Sequence, residues 1–95
     1  MKIAKVVGVA VSTVKEPRLE GCKLLLVSDA DPTGKVIGDP YIAMDIVGVG
    51  PDELVMIVEG STARMACSDG EKPADVVIVG VLDSLKYNGK TTFRK

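Results

Sequence analysis

Histidine and tryptophan are both absent from these 95 residues, and the aromatic side chains are one phenylalanine and two tyrosines. Without histidine the chain lacks the usual general base near neutral pH and the commonest metal ligand. With Phe93, Tyr41 and Tyr87 as its only rings, it lacks the stacking platforms that hold single-stranded nucleic acid. Neither sign of charge is in excess: 12 basic against 13 acidic side chains leave a formal net charge of −1, no footprint for a polyanion. Two cysteines, Cys22 and Cys67, match no zinc spacing; they read as reduced, partly buried thiols, with a disulfide between them left open. No apolar run approaches the ~18 residues needed to span a bilayer. The opening MKIAKVVGVAVSTV has no small-residue cleavage site, so a soluble, intracellular protein is expected.

What the chain has in quantity is small aliphatic surface. Hydrophobic residues make up 46% of it, mostly Val, Ile, Leu, Ala and Met. A chain this short is expected to form one domain, residues 1–95, and to bury only about 60–65% of its unfolded surface. Some apolar surface then has no place inside a single subunit, and association of subunits accounts for it.

The stretch around which the chain is organised runs from Tyr41 to Ala66. Two apolar runs, Tyr41 to Val47 and Leu54 to Val58, are joined by the corner Gly48-Val49-Gly50-Pro51-Asp52-Glu53. Its unusual residues serve shape rather than chemistry: glycine supplies positive φ and close approach, and proline fixes its own φ. Gly60 ends the second run, and Ser61 is placed to cap a helical turn or two through Ala66.

Around this centre the pattern is β. Ile3 to Val14 reads as a long first strand bent at Gly8, and Lys23 to Ser28 as a second strand. Asp31-Pro32-Thr33-Gly34 is turn chemistry, with no further oxygen ligands at calcium-loop spacing. Ser68 to Ala74 reads as a surface loop and Asp75 to Ser84 as another strand. Asn88-Gly89 is a two-residue hairpin signal that sets Leu85 to Tyr87 against Lys90 to Phe93. At least five short strands with one helix before the last pair predict a mainly β fold, a small closed barrel in which closure removes exposed edges.

Catalytic chemistry is sparse. Gly48-Val49-Gly50 lacks the third glycine of a dinucleotide loop, and Asp52 and Glu53 follow where a phosphate would sit. Asp45 interrupts an apolar run, so it either faces solvent or accepts backbone hydrogen bonds in the corner. Arg64, placed in the first turn of a helix capped by Ser61, would oppose the helix dipole and require a compensating partner within the subunit or across an interface. No cofactor, metal or catalytic residue is indicated. An OB-like module binding a small molecule or single-stranded nucleic acid is the alternative, set against the missing aromatics and basic groove. The basic tail Arg94-Lys95 reads as a solvated terminus.

Taken together, several segments resemble one family. They are Lys15-Glu-Pro-Arg-Leu-Glu-Gly21 followed by Lys23-Leu-Leu-Leu-Val27, Asp31-Pro-Thr-Gly34, and Ala43-Met-Asp-Ile-Val-Gly-Val-Gly50 with Glu53. Gly60-Ser-Thr-Ala-Arg64, and Pro73-Ala-Asp75 with Val79-Gly-Val-Leu-Asp83, complete the set. In this order the chain resembles, over essentially its whole length, the vertex proteins of bacterial microcompartment shells, the family shared by ethanolamine-utilisation and carboxysome vertex proteins. The resemblance implies a five-stranded OB-like barrel with a short helix, assembled as a ring, usually a pentamer. It implies a structural and non-enzymatic role in the cytoplasm, with hexameric and trimeric facet proteins as partners and no nucleic acid or membrane. A flat hexagonal layer cannot close without pentagons, which gives such a subunit its purpose. The resemblance further places Gly48, Val49, Gly50, Glu53, Gly60, Ser61, Thr62, Ala63 and Arg64 near subunit contacts and the central opening. Where the family often has glycine before the glutamate, this chain has Asp52, a residue type that tolerates left-handed backbone.

Overall fold

Short runs of branched aliphatic residues, which pack well on a pleated surface, underlie the architecture. In a computed structural model that describes residues 1–66 and 74–95, strands β1 (Lys2–Ala10), β2 (Lys23–Asp29), β3 (Tyr41–Asp45), β4 (Leu54–Glu59) and β5 (Val76–Val81) close into a barrel in the order β1-β2-β3-β5-β4. Closure rests on a short parallel pairing, Met44 with Val77 and Asp45 with Ile78; the other barrel pairings are antiparallel. The expected mainly β barrel with one short helix is therefore the fold. A barrel of five strands has a narrow interior. Ala4, Val6, Leu25, Val27, Ala43, Val49, Val55, Ile57 and Ile78 fill it, and none carries a ring.

The helix α1 (Gly60–Ala66) covers a second cluster. Its Ala63 is fully buried against Met44, Val58 and Val77, with Leu19, Cys22 and Leu24 at the margin. Ser61 lies inside α1 rather than before it, and Arg64 falls in its last turn, not its first. The dipole there favours a cation, so the argument that Arg64 needs a compensating partner loses its premise.

Three strand boundaries differ from expectation, each because pairing runs out. β1 stops at Ala10, opposite Leu24, so Val11 and Val14 pair with no strand among the described residues and are 86% and 92% exposed. β3 ends at Asp45, whose carboxylate takes the next backbone N–H groups. The run from Asp75 to Ser84 breaks after Val81, and β6 (Ser84–Tyr87) turns away to pair with β7 (Lys90–Arg94) as a separate two-stranded sheet. Asn88 and Gly89 sit at φ 53° and 76°, the left-handed pair that the hairpin signal requires. Asp31 begins its turn as expected, its carboxylate accepting from the N–H of Thr33 and Lys35. The bend at Gly8 is present as a register shift between Val6 and Gly8. Cys67 and the Ser68 to Pro73 part of the expected loop lie outside the described residues.

Candidate functional site

The corner after β3 is built around one carboxylate. Oδ1 of Asp45 accepts from the N–H of Val47 and Gly48, both at 2.9 Å, and Oδ2 accepts from the N–H of Val49 at 2.8 Å. The side chain has no exposed surface, and Lys23 Nζ lies 3.7 Å from Oδ2. Lys23 also donates to the Val49 carbonyl at 2.9 Å. Burial pushes the Asp45 carboxyl up, but the bonds from Gly48, Val47 and Val49 and the charge of Lys23 outweigh it and hold it below the ordinary carboxylate range. Of the two readings the sequence leaves open, backbone acceptance is the one realised. A carboxylate so committed to holding a loop is not poised to move protons.

Glu53 closes the same corner. Its Oε1 accepts from the Gly50 N–H at 2.7 Å and its Oε2 from Lys95 Nζ at 2.7 Å. The Lys95 ammonium, then the Gly50 N–H, hold this carboxyl below its usual range. Lys95, read from sequence as a solvated tail, is tied down twice, because its N–H also donates to the Asp83 carbonyl. Only the tertiary fold brings residue 95 to residue 53. Asp52 has φ 63°, so the left-handed geometry expected at that position is present without glycine. Gly48 has φ 93° and open space where a Cβ would stand. Gly48→Ala is expected to cost about 1–2 kcal/mol through backbone strain alone, read as a lowered Tm at fixed protein concentration; an unchanged Tm would remove strain from the account of the corner.

The corner and the helix are not neighbours on one subunit. They flank opposite ends of β4, a strand of six residues, roughly 20 Å at ~3.3 Å per residue. The structure thus groups Gly48, Val49, Gly50 and Glu53 at one end. Gly60, Ser61, Thr62, Ala63 and Arg64 form a second group at the other. In the corner Val49 is buried in the core, whereas Ile46 and Val47 beside it are about half exposed. On the helix Ala63 faces inward, and Ser61, Thr62, Arg64 and Met65 are exposed.

A polar cluster missed by sequence reading lies near the helix. Lys2 Nζ is 3.0 Å from Glu59 and 3.4 Å from Asp29, and the Tyr41 hydroxyl donates to Asp29 at 2.6 Å. Burial, then the Asp29 carboxylate, push the Tyr41 hydroxyl well above its ordinary value. Lys2, Asp29 and Tyr41 belong to three strands, which is why no linear spacing announces the cluster. It ties the start of β1 to the end of β4.

Three comparisons bear on this geometry. The model of the family described as ethanolamine utilisation protein EutN/carboxysome matches residues 1–83. The carboxysome shell vertex protein CcmL of Synechococcus elongatus is 39% identical over 95 residues, covering 100% of this chain and 96% of the relative. The solved structure of CcmL from Nostoc sp. PCC 7120 superposes with a TM-score of 0.92 at 38% identity, covering both chains fully at 100%. GrpN, described as a pentameric microcompartment shell protein from Rhodospirillum rubrum, gives a TM-score of 0.82 at 33% identity, over 92% of this chain and 99% of its own. With the five-stranded barrel, its capping helix and the segments that carry the resemblance all in place, this chain belongs to the EutN/CcmL family of shell vertex proteins.

Proposed function

We infer that the protein is a structural subunit of a bacterial microcompartment shell, assembling as a pentamer that caps the vertices of the polyhedron. The observation that carries this reading is the match of 92% of the chain, at a TM-score of 0.82, to a solved shell protein described as pentameric. The surface supports it. Val9, Ile37, Ile42 and Met65 are between 55% and 81% exposed on the isolated subunit, more aliphatic surface than a free chain of this size carries comfortably. By this reading the protein resides in the cytoplasm as part of the shell, meets hexameric and trimeric facet proteins at its rim, and performs no catalysis. The Gly48–Glu53 corner and the Gly60–Arg64 helix serve contacts and the central opening from separate ends of β4, in one subunit or between neighbours.

Native mass spectrometry tests the ring directly. The expected species is about 50 kDa, five times the 10.0 kDa chain. A monomer across the micromolar range would overturn the reading. Co-expression with facet proteins then tests the vertex role: closed shells are expected with this chain, and open or tubular assemblies without it.

A further inference from the structure

Asn88 carries the only side-chain amide of the chain, which holds no other asparagine and no glutamine. Together with Gly89 it forms the two-residue tip of the β6–β7 hairpin, and both residues are exposed. The space where a Cβ of Gly89 would stand is open, so nothing shields the Gly89 nitrogen from its neighbour's side chain or from water. Among the described residues, no hydrogen bond engages the Asn88 side chain or the Gly89 N–H. Asparagine is among the thermolabile residue types, and a following glycine offers the least steric protection.

The tip is also the weakly held part of its sheet. A register shift between Leu85 and Lys86 leaves only the pairs Lys86–Thr91 and Tyr87–Lys90 between the shift and the turn. A two-stranded sheet is marginal on its own, and an end of this kind opens locally at little cost. The rest of β7 and the residue after it clasp the subunit. Thr92 Oγ1 donates to the Pro32 carbonyl at 2.5 Å, and the Phe93 ring packs against Gly34. Lys95 donates from its backbone to Asp83 and from its ammonium to Glu53. A loose tip therefore sits at the start of a strand whose far end fastens the Asp31–Gly34 turn and the Glu53 corner.

We propose that Asn88–Gly89 is a site of spontaneous deamidation and backbone isomerisation, with water as the only co-reactant, and that the isomerised link weakens the clasp of β7 on the subunit. When the tip opens, the Gly89 backbone nitrogen attacks Cγ of Asn88. The new N–Cγ bond forms as the Cγ–Nδ2 bond breaks, and the amide proton of Gly89 departs with Nδ2 as ammonia. The resulting succinimide takes up one water. Opening at Cγ leaves an aspartate on an ordinary backbone. Opening at the main-chain carbonyl of residue 88 leaves an isoaspartate, whose chain runs through Cβ and Cγ. That product adds one atom to a loop whose left-handed pair, at φ 53° and 76°, is matched to the flanking strands. The Tyr87–Lys90 pair beside it loses its geometry, and the strain passes into β7.

The test incubates the full chain and Asn88→Gly side by side in warm, mildly alkaline buffer. Glycine keeps the left-handed turn and has no side-chain carbonyl to attack. One ammonia per wild-type chain is expected at completion and none from Asn88→Gly, because no other residue carries an amide side chain. Isoaspartate is read by enzymatic transfer of a labelled methyl group from S-adenosylmethionine by an isoaspartyl methyltransferase. The wild type is expected to exceed Asn88→Gly, in which Asp69-Gly70 sets the background. No ammonia above the variant, or ammonia with no gain in isoaspartate, would overturn the modification site. The isoaspartyl product is then separated by anion exchange, and its Tm is compared at fixed protein concentration with that of fresh Asn88→Asp. The two share one added negative charge and differ in the backbone alone. A Tm several degrees lower for the isoaspartyl product is expected; equal values would overturn the weakened clasp.

Discussion

Replacing Asp45 by alanine is expected to lower stability by about 3 kcal/mol, the largest loss for any single polar group in the corner. The change strands the N–H groups of Val47, Gly48 and Val49, which are otherwise bonded to a side chain with no exposed surface. Hydrogen bonds to a charged group contribute about 1.5–3 kcal/mol net, and a buried donor left unmatched costs about 1–3 kcal/mol. Partial rehydration of the freed N–H groups keeps the loss near the upper end of the range for one group rather than a threefold sum. For a chain of this length the expected fall in Tm is roughly 12–24 °C, measured at constant protein concentration because assembly shifts Tm as well. A fall of only a few degrees would show that water replaces the carboxylate freely, and the corner would lose its organising centre.

The same group predicts a pH dependence. The folded carboxyl of Asp45 titrates below the ordinary aspartate range. Its contribution is therefore complete above the unfolded pKa and is lost as pH falls through the folded one, that is, below about 4. Glu16, Asp29, Asp31 and Glu53 are depressed as well, so their contributions to stability weaken in the same direction as pH falls. The difference between wild type and Asp45→Asn isolates this contribution: it is expected to be constant from neutral pH down to about 5 and to shrink below about 4. A difference that persists unchanged to pH 2 would mean that the interaction lost is not the ionised one.

The second large effect is expected at Ile57. This side chain is fully buried in the barrel interior, between Lys2 on β1 and Ile78 on β5 in the ladder. Ile57→Ala should cost about 3 kcal/mol and Ile57→Val about 1 kcal/mol, the usual spread for a cavity that its walls cannot close. The walls here are a hydrogen-bonded cylinder of five strands, whose backbone has little freedom to move inward. Equilibrium urea unfolding of the two variants reads both values. Equal losses for Ala and Val would show that the barrel collapses around the gap.

Stability is not uniform along the subunit: barrel and corner are fastened from several sides, whereas β1 beyond Val6 pairs only with β2 among the described residues.

Much was legible in the residues. Runs dense in Val, Ile and Leu marked the segments that became strands, because branched aliphatic side chains pack well on a pleated surface. Asn88-Gly89, Asp31 to Gly34 and the bend at Gly8 were each legible because turn and bulge chemistry is local. The family segments, read in order, determined the barrel and its class. Other features belonged to the tertiary structure alone. The end of β1 at Ala10 was set by where β2 begins, and the position of Arg64 in its helix by Gly60 rather than Ser61. The pairing of Lys95 with Glu53 joins residues 42 apart in sequence. The union of Lys2, Asp29 and Tyr41 requires three strands to be in register. The separation of corner from helix followed from β4 lying between them. Local propensity acts over a few residues, and a closed barrel places its partners by register and closure, which no local pattern contains.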